Sequence, residues 1–185
     1  MALTPSNMLP LGTVAPYFEL PDTLNNNKPV DLHALKGEKG TAIIFICNHC
    51  PYVKHVNEEL VNISKEYQKR GVNFIGISSN NIETHPEDSP EKMTEYGQRL
   101  DYPFPYLFDE TQDIARAYDA ACTPDFYLFD ESMQLVYRGQ LDDSRPGNGK
   151  PVSGNDLRSA IEHLLEETAI SPDQIPSIGC NIKWK

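Results

Sequence analysis

Phe45-Ile46-Cys47-Asn48-His49-Cys50-Pro51-Tyr52 is the stretch from which the rest of this 185-residue chain can be organised. The run leading into it, Thr41-Ala42-Ile43-Ile44-Phe45-Ile46, is apolar and β-branched, with the length of a buried strand. Beyond it Val53, Val56, Leu60, Ile63 and Tyr67 recur at alternating steps of three and four, and Lys54, Glu58, Glu59, Lys65, Glu66 and Lys69 fill the other face. That spacing predicts an amphipathic helix. Arg70-Gly71 signals its end, and Val72-Asn73-Phe74-Ile75-Gly76-Ile77 reads as a second buried strand. The two cysteines, separated by two residues, therefore stand at a strand-to-helix turn inside a βαβ unit.

That placement shapes their chemistry. The free N–H groups and positive end of the helix dipole favour a thiolate at Cys47, while Cys50, three residues before Val53 on the apolar stripe, is expected to be more sheltered. One exposed acidic thiol and one sheltered thiol suit reversible disulfide exchange, the first attacking and the second resolving the mixed disulfide. His49 lies between them, where an imidazolium would further lower the Cys47 pKa and raise the reduction potential of the pair. Half of a zinc site is the competing reading, and no second closely spaced Cys/His pair completes it.

The length fits one domain over 1–185 with a substantial core. A net charge of -11 argues against nucleic acid and anionic membranes as partners. No basic start followed by an apolar segment opens the chain, and no stretch is long enough to span a bilayer, so a cytoplasmic protein is expected. In that compartment four cysteines should be mostly reduced, which favours a catalytic role for the close pair.

Outside the βαβ unit, Pro10 to Leu35 alternates apolar residues about an Asn25-Asn26-Asn27 turn, predicting an N-terminal hairpin. The polar stretch 79–90 is a long loop beside the cysteine-bearing strand ends, with His85 exposed on it, and Ser89-Pro90-Glu91 opens a helix carrying Met93, Tyr96 and Leu100. Phe104-Pro105-Tyr106-Leu107-Phe108 reads as an edge strand, because a proline cannot donate to a central ladder. A helix from Thr111 completes this inserted helix-strand region. Two runs, 126–129 and 135–138, form a hairpin, and the loop 141–154 that follows holds Asp142 and Asp143, both expected to be solvated. Leu157, Ala160, Ile161, Leu164 and Leu165 mark a last helix. The tail 171–185 is too apolar at Ile175, Ile178, Ile182 and Trp184 for a disordered end, so it should pack and shield Trp184, placing Cys180 on an ordered surface.

The βαβ unit resembles the thioredoxin fold. Val14-Ala15-Pro16-Tyr17-Phe18-Glu19-Leu20 and Thr123-Pro124-Asp125-Phe126-Tyr127-Leu128-Phe129-Asp130 resemble its peroxiredoxin-like, AhpC/TSA-related redoxin branch. The stretches Cys47-Asn48-His49-Cys50-Pro51-Tyr52-Val53, Phe104-Pro105-Tyr106-Leu107 and Gly179-Cys180-Asn181-Ile182-Lys183-Trp184 are similar to a group of bacterial peroxiredoxin-like proteins. The resemblance implies an α/β fold with a central mixed sheet flanked by helices. It also implies a cis-proline at Pro124 facing the cysteine pair, with Thr123 offering its backbone to an extended substrate in a groove. Cys122 would lie nearby, as either a small buried hydrophobe or an accessory thiol, and the same two roles are open to Cys180.

The expected function is a thiol–disulfide oxidoreductase with a reversible Cys47–Cys50 disulfide, acting on protein or small-molecule disulfides and thiols without a cofactor or metal. A thiol peroxidase is the alternative. If Cys50 is aligned with the peroxide-reacting cysteine of peroxiredoxins, Cys47 and Ile43 occupy the places of its threonine and proline, and Thr123-Pro124 occupies the region of its arginine. A third alternative is metal binding or copper delivery through Cys47, Cys50 and His49 or His55.

Overall fold

The computed structural model describes residues 3–185. Its strands are β1 (Leu3–Pro5), β2 (Glu19–Asp22), β3 (Lys28–Asp31), β4 (Gly40–Phe45), β5 (Val72–Ser78), β6 (Tyr106–Phe108), β7 (Cys122–Thr123), β8 (Asp125–Asp130), β9 (Leu135–Gly139) and β10 (Ile178–Asn181). Its helices are α1 (Leu32–Leu35), α2 (Pro51–Gln68), α3 (Pro90–Arg99), α4 (Asp113–Ala117) and α5 (Asn155–Leu165).

Seven strands form one mixed sheet in the order β3-β2-β6-β5-β4-β8-β9, with β4, β5 and β6 parallel and the remaining pairs antiparallel. Successive side chains of β4 point to opposite faces. Ala42 and Ile44 pack with residues of α2, α3 and α5, whereas Ile43 and Phe45 pack with Leu32, Ala115 and Tyr118 on the side of α1 and α4. Both faces are covered, which is why the strand reads as a continuous apolar run instead of an alternating one. Truncating a fully buried residue here, such as Ile44→Ala, carries a cost of about 2–5 kcal/mol. This is the thioredoxin-like α/β architecture, with the N-terminal hairpin formed by β2 and β3.

Three elements depart from the expectations. First, β6 lies inside the sheet, hydrogen-bonded to β5 on one side and β2 on the other. Pro105 stands just ahead of the strand and its missing N–H costs the ladder nothing, while its carbonyl still accepts from Gly76. Second, Asp142 is buried, its carboxylate accepting from the N–H groups of Ser144, Ser153 and Gly154, while Asp143 stays at the surface with Lys150. The loop is tied around an internal acceptor.

Third, the tail forms a strand. β10 lies between β1 and β7 in a second, three-stranded sheet, with Cys180 opposite both Leu3 and Thr123, and Asn181 opposite Cys122. Cys180 and Ile182 are buried, whereas Ile175 and Ile178 are exposed. Trp184 is not shielded: it is 42% exposed, with the Arg116 guanidinium stacked 5.1 Å from its ring centroid. Backbone pairing, more than its apolar side chains, holds the tail.

Candidate functional site

The strand-to-helix turn after β4 delivers both cysteines. Pro51 occupies the first position of α2, where its lack of an N–H is harmless and its fixed φ suits the helix, so the helix starts immediately after Cys50. This overturns the expected division between the two thiols. Cys50, not Cys47, is the N-cap residue, and both are enclosed, at 1% exposure for Cys47 and 0% for Cys50.

Cys47 donates a hydrogen bond to Cys50, and that bond, acting against burial, holds the Cys50 thiol down at about 5. Cys180 contributes in the same direction. So does the N–H of Val53, which approaches the sulfur without the geometry of a full cap hydrogen bond. Burial pushes the Cys47 thiol well up, with the bond to Cys50 and the negative charge of Asp88 adding to it. Cys50 is therefore the sulfur that carries the negative charge.

Thr123 sits against both sulfurs. Its hydroxyl is 3.5 Å from Cys47 Sγ, and its carbonyl oxygen is 3.2 Å from Cys50 Sγ. The Thr123–Pro124 peptide bond is cis. Cys122 is buried, its sulfur 3.7 Å from the Pro124 carbonyl, and burial pushes its thiol far up. Cys180 comes much nearer the pair, with its Sγ 2.8 Å from Cys50 Sγ.

His49 faces away from Cys50, toward a carboxylate that the sequence reading did not single out. Its Nδ1 donates to Asp88 Oδ2 at 2.6 Å, and the same carboxylate accepts from Asn80 Nδ2 and from the backbone N–H of Asn48, each at 2.8 Å. The bond to Asp88 raises the His49 pKa. Burial pushes Asp88 up, but the hydrogen bonds from His49 and Asn80 outweigh it and leave Asp88 below the usual carboxylate range. His85 is half-buried instead of exposed, its ring stacked on His49 with centroids 5.0 Å apart. The only hint of Asp88 in the sequence was the length of the polar loop beside the strand ends.

Ligand atoms of Cys47, His49 and Asp88 lie within 4.8 Å of one another, a thiolate–imidazole–carboxylate set that could take a metal ion. It is one ligand short of a closed structural zinc site. The other histidine considered, His55, is instead engaged with Ser144 Oγ at 2.8 Å.

A second carboxylate went unremarked because it directly follows Pro124 in a strand. Asp125 is fully buried; its Oδ2 accepts from Ser6 Oγ at 3.0 Å and Tyr127 OH at 2.9 Å, and its Oδ1 has no partner among the described residues. Burial, only partly offset by these bonds, pushes its pKa to about 7.

The site is tightly closed. The cavity that reaches Pro124, between Tyr52, His55, Phe126 and Ser177, measures about 20 Å³, room for roughly one water. A larger cavity of about 480 Å³, bordered by Leu11, Leu135, Leu164 and Ile170, shares no residue with the cysteine site.

The AhpC/TSA family matches residues 11–138, a span that takes in the cysteine pair, the polar loop and Pro124. The chain belongs to the AhpC/TSA family. That membership, with the thioredoxin-like fold, supports a redox function in general terms. This AhpC/TSA protein is 55% identical to an uncharacterized conserved protein from Geobacillus kaustophilus, with a TM-score of 0.97 over 100% of this chain and 97% of that one. It is 43% identical to a hypothetical protein from Sinorhizobium meliloti 1021, with a TM-score of 0.95 and 98% of each chain covered. The thioredoxin domain of a thiol-disulfide oxidoreductase from Bacteroides vulgatus shares the fold at 18% identity, with a TM-score of 0.65 over 85% of this chain and 99% of that one. A comparison with curated proteins finds no match. No helix among the described residues is long and apolar enough to cross a membrane.

Proposed function

We propose that this AhpC/TSA protein is a thiol–disulfide oxidoreductase that cycles through a Cys47–Cys50 disulfide. The observation that carries this reading is the convergence of both sulfurs on Thr123 at the start of α2, Cys47 Sγ 3.5 Å from its hydroxyl and Cys50 Sγ 3.2 Å from its carbonyl oxygen. In the forward step the Cys50 thiolate attacks one sulfur of a substrate disulfide, forming a mixed disulfide and releasing the other sulfur as a thiolate. Cys47 then attacks Cys50 Sγ, closing the Cys47–Cys50 disulfide and releasing the second substrate thiol. The substrate is oxidised protein or small-molecule disulfide, and no organic cofactor enters either step. His49 acts on this chemistry only through Asp88, whose charge raises the Cys47 pKa and whose hydrogen bond raises that of His49, so the direct lowering of Cys47 expected of the imidazolium is not seen.

The peroxidase alternative is weaker here because neither sulfur takes a hydrogen bond from an arginine among the described residues, and such a donor is what would stabilise the departing peroxide oxygen. The deciding measurement compares reduced protein mixed with oxidised glutathione and with hydrogen peroxide under stopped flow, followed by peptide mapping. The expected result is exchange with the disulfide, a mapped Cys47–Cys50 bond that is absent in Cys47→Ser, and loss of the exchange reaction in Cys50→Ser. Peroxide oxidation far faster than that of an ordinary thiolate would instead assign a peroxidase. Stoichiometric metal held through purification, and lost in Asp88→Ala, would assign the Cys47, His49 and Asp88 set to metal binding.

A further inference from the structure

Strand β10 occupies the place that the sequence reading reserved for a substrate. The free edge of β7, with Thr123 at its end, is where an extended peptide would add as a strand beside the cysteine pair. Here that edge is filled by the chain's own tail, in antiparallel register, with Cys180 opposite Thr123 and the Ile182 N–H bonded to the Ala121 carbonyl. The seating is close enough that a Cβ at Gly179 would meet Thr123 O at 2.0 Å, so glycine is required one residue before the cysteine.

The tail is fixed on both sides of this contact. Ser177 O accepts from the Ser6 N–H ahead of β10, and beyond it Lys183 donates its N–H to Asn80 and accepts from the Asn81 N–H. Cys180 is consequently buried, with its sulfur 2.8 Å from Cys50 Sγ, a separation that a shift on the order of an ångström would convert to the ~2.05 Å of a disulfide.

We infer that Cys180 is a third redox residue of this site, which takes over the disulfide from Cys47 by bonding to Cys50 and so occupies the substrate edge as an internal partner. This rests on the disulfide-exchange reading above. In the step, Cys180 Sγ attacks Cys50 Sγ of the Cys47–Cys50 disulfide; the Cys50–Cys180 bond forms and the Cys47–Cys50 bond breaks. Cys180 is oxidised as Cys47 is reduced, and the Cys180 proton ends on the Cys47 thiolate. No external oxidant is consumed, since the disulfide arrived with the substrate. Burial and the contact with Cys50 push the Cys180 thiol up to about 12, which keeps it protonated until Cys50 is oxidised.

The test uses the full chain, reduced, then treated with one equivalent of oxidised glutathione, acid-quenched and digested with trypsin. Cys47 and Cys50 share one tryptic peptide and Cys180 lies on another, so transfer to the tail appears as a cross-linked pair of peptides. Wild type is expected to show the cross-link, Cys47→Ser to form it as the dominant oxidised species, and Cys50→Ser to lose it. Cys180→Ser should accumulate the Cys47–Cys50 disulfide. A Cys47–Cys50 disulfide with no cross-link in either wild type or Cys47→Ser overturns this inference and leaves the oxidoreductase reading intact. A cross-link retained in Cys50→Ser, through Cys47, also overturns it. No disulfide in any variant, with circular dichroism showing each folded, removes the oxidoreductase reading itself.

Discussion

Asp125 combines full burial with one carboxylate oxygen that nothing among the described residues satisfies, and the balance shows in its raised pKa of about 7. Because the folded-state value exceeds that of an unfolded aspartate, the folded form holds a proton that the unfolded chain has already lost, and stability falls as pH rises through that interval. The slope is at most about 1.4 kcal/mol per pH unit between the unfolded value near 4 and the folded value. Thermal melts should therefore shift downward from about pH 5 to about pH 8, and Asp125→Asn, close in shape but unable to titrate, should flatten that decline. Equal slopes in the two proteins would show that Asp125 is not the titrating group. Asp88 runs the other way, since its lowered pKa contributes stability above the unfolded value that is lost in acid. Its charge also raises Cys47. Asp88→Asn keeps an acceptor for the Asn48 N–H but removes that charge, so Cys47 should titrate at lower pH by thiolate absorbance, and His49 should lose its raised pKa by NMR.

At the scale of elements, the βαβ unit was legible because each of its parts is encoded locally, by a β-branched run, a helical stripe and a terminating glycine. The cysteine pair was legible for the same reason. Which cysteine caps the helix was not, because that depends on the helix starting at Pro51, three positions later than a cap at Cys47 would require. The misplacement of β6 came from applying the proline restriction to Pro105 when the strand begins at Tyr106. Neither β1 nor β10 has enough residues to show a period, and their pairing joins Leu3 to Cys180, which no local window can contain. Asp88 and Cys180 reach the site by such long-range closure, and only Cys180 had drawn attention beforehand. The closeness of β10 to Thr123 yields a direct check. Gly179→Val forces a side chain into the Thr123 carbonyl, so the strand must lift while the seven-stranded sheet stays intact. Alkylation of Cys47 and Cys50 should then accelerate by about tenfold or more, corresponding to some 1.4 kcal/mol of lost strand closure. Unchanged alkylation with native circular dichroism would mean that the tail does not guard the thiols.

Over the whole molecule, the two alternative disulfides differ in what they do to the unfolded chain. A Cys47–Cys50 bond closes a trivial loop, whereas Cys50 and Cys180 are 130 residues apart in sequence. On the chain-entropy account a loop of that size contributes about 5 kcal/mol at 25 °C, an upper figure that native strain reduces. Oxidised Cys47→Ser should therefore melt several degrees above its reduced form by calorimetry, while oxidised Cys180→Ser should barely differ from its reduced form. Similar shifts in both would place the oxidative stabilisation elsewhere. The surplus of negative charge has a narrower role: it keeps acidic surfaces apart in solution and says nothing of the site.

The enclosure of Cys50, fully buried with the Cys180 sulfur against it, also bears on chemical wear. A thiolate open to solvent climbs from sulfenic to sulfinic and sulfonic acid, and the last two steps are not undone by ordinary thiols. Cys50 is the sulfur that both proposed disulfides share, so its loss would disconnect the site at a stroke. With the Cys180 sulfur of β10 2.8 Å away, Cys50 meets an oxidant only when the strand opens, and the permanent damage expected of an acidic thiol is deferred. After prolonged exposure to hydrogen peroxide, mass spectrometry should find Cys50 sulfinic acid in Gly179→Val well before it appears in the wild type.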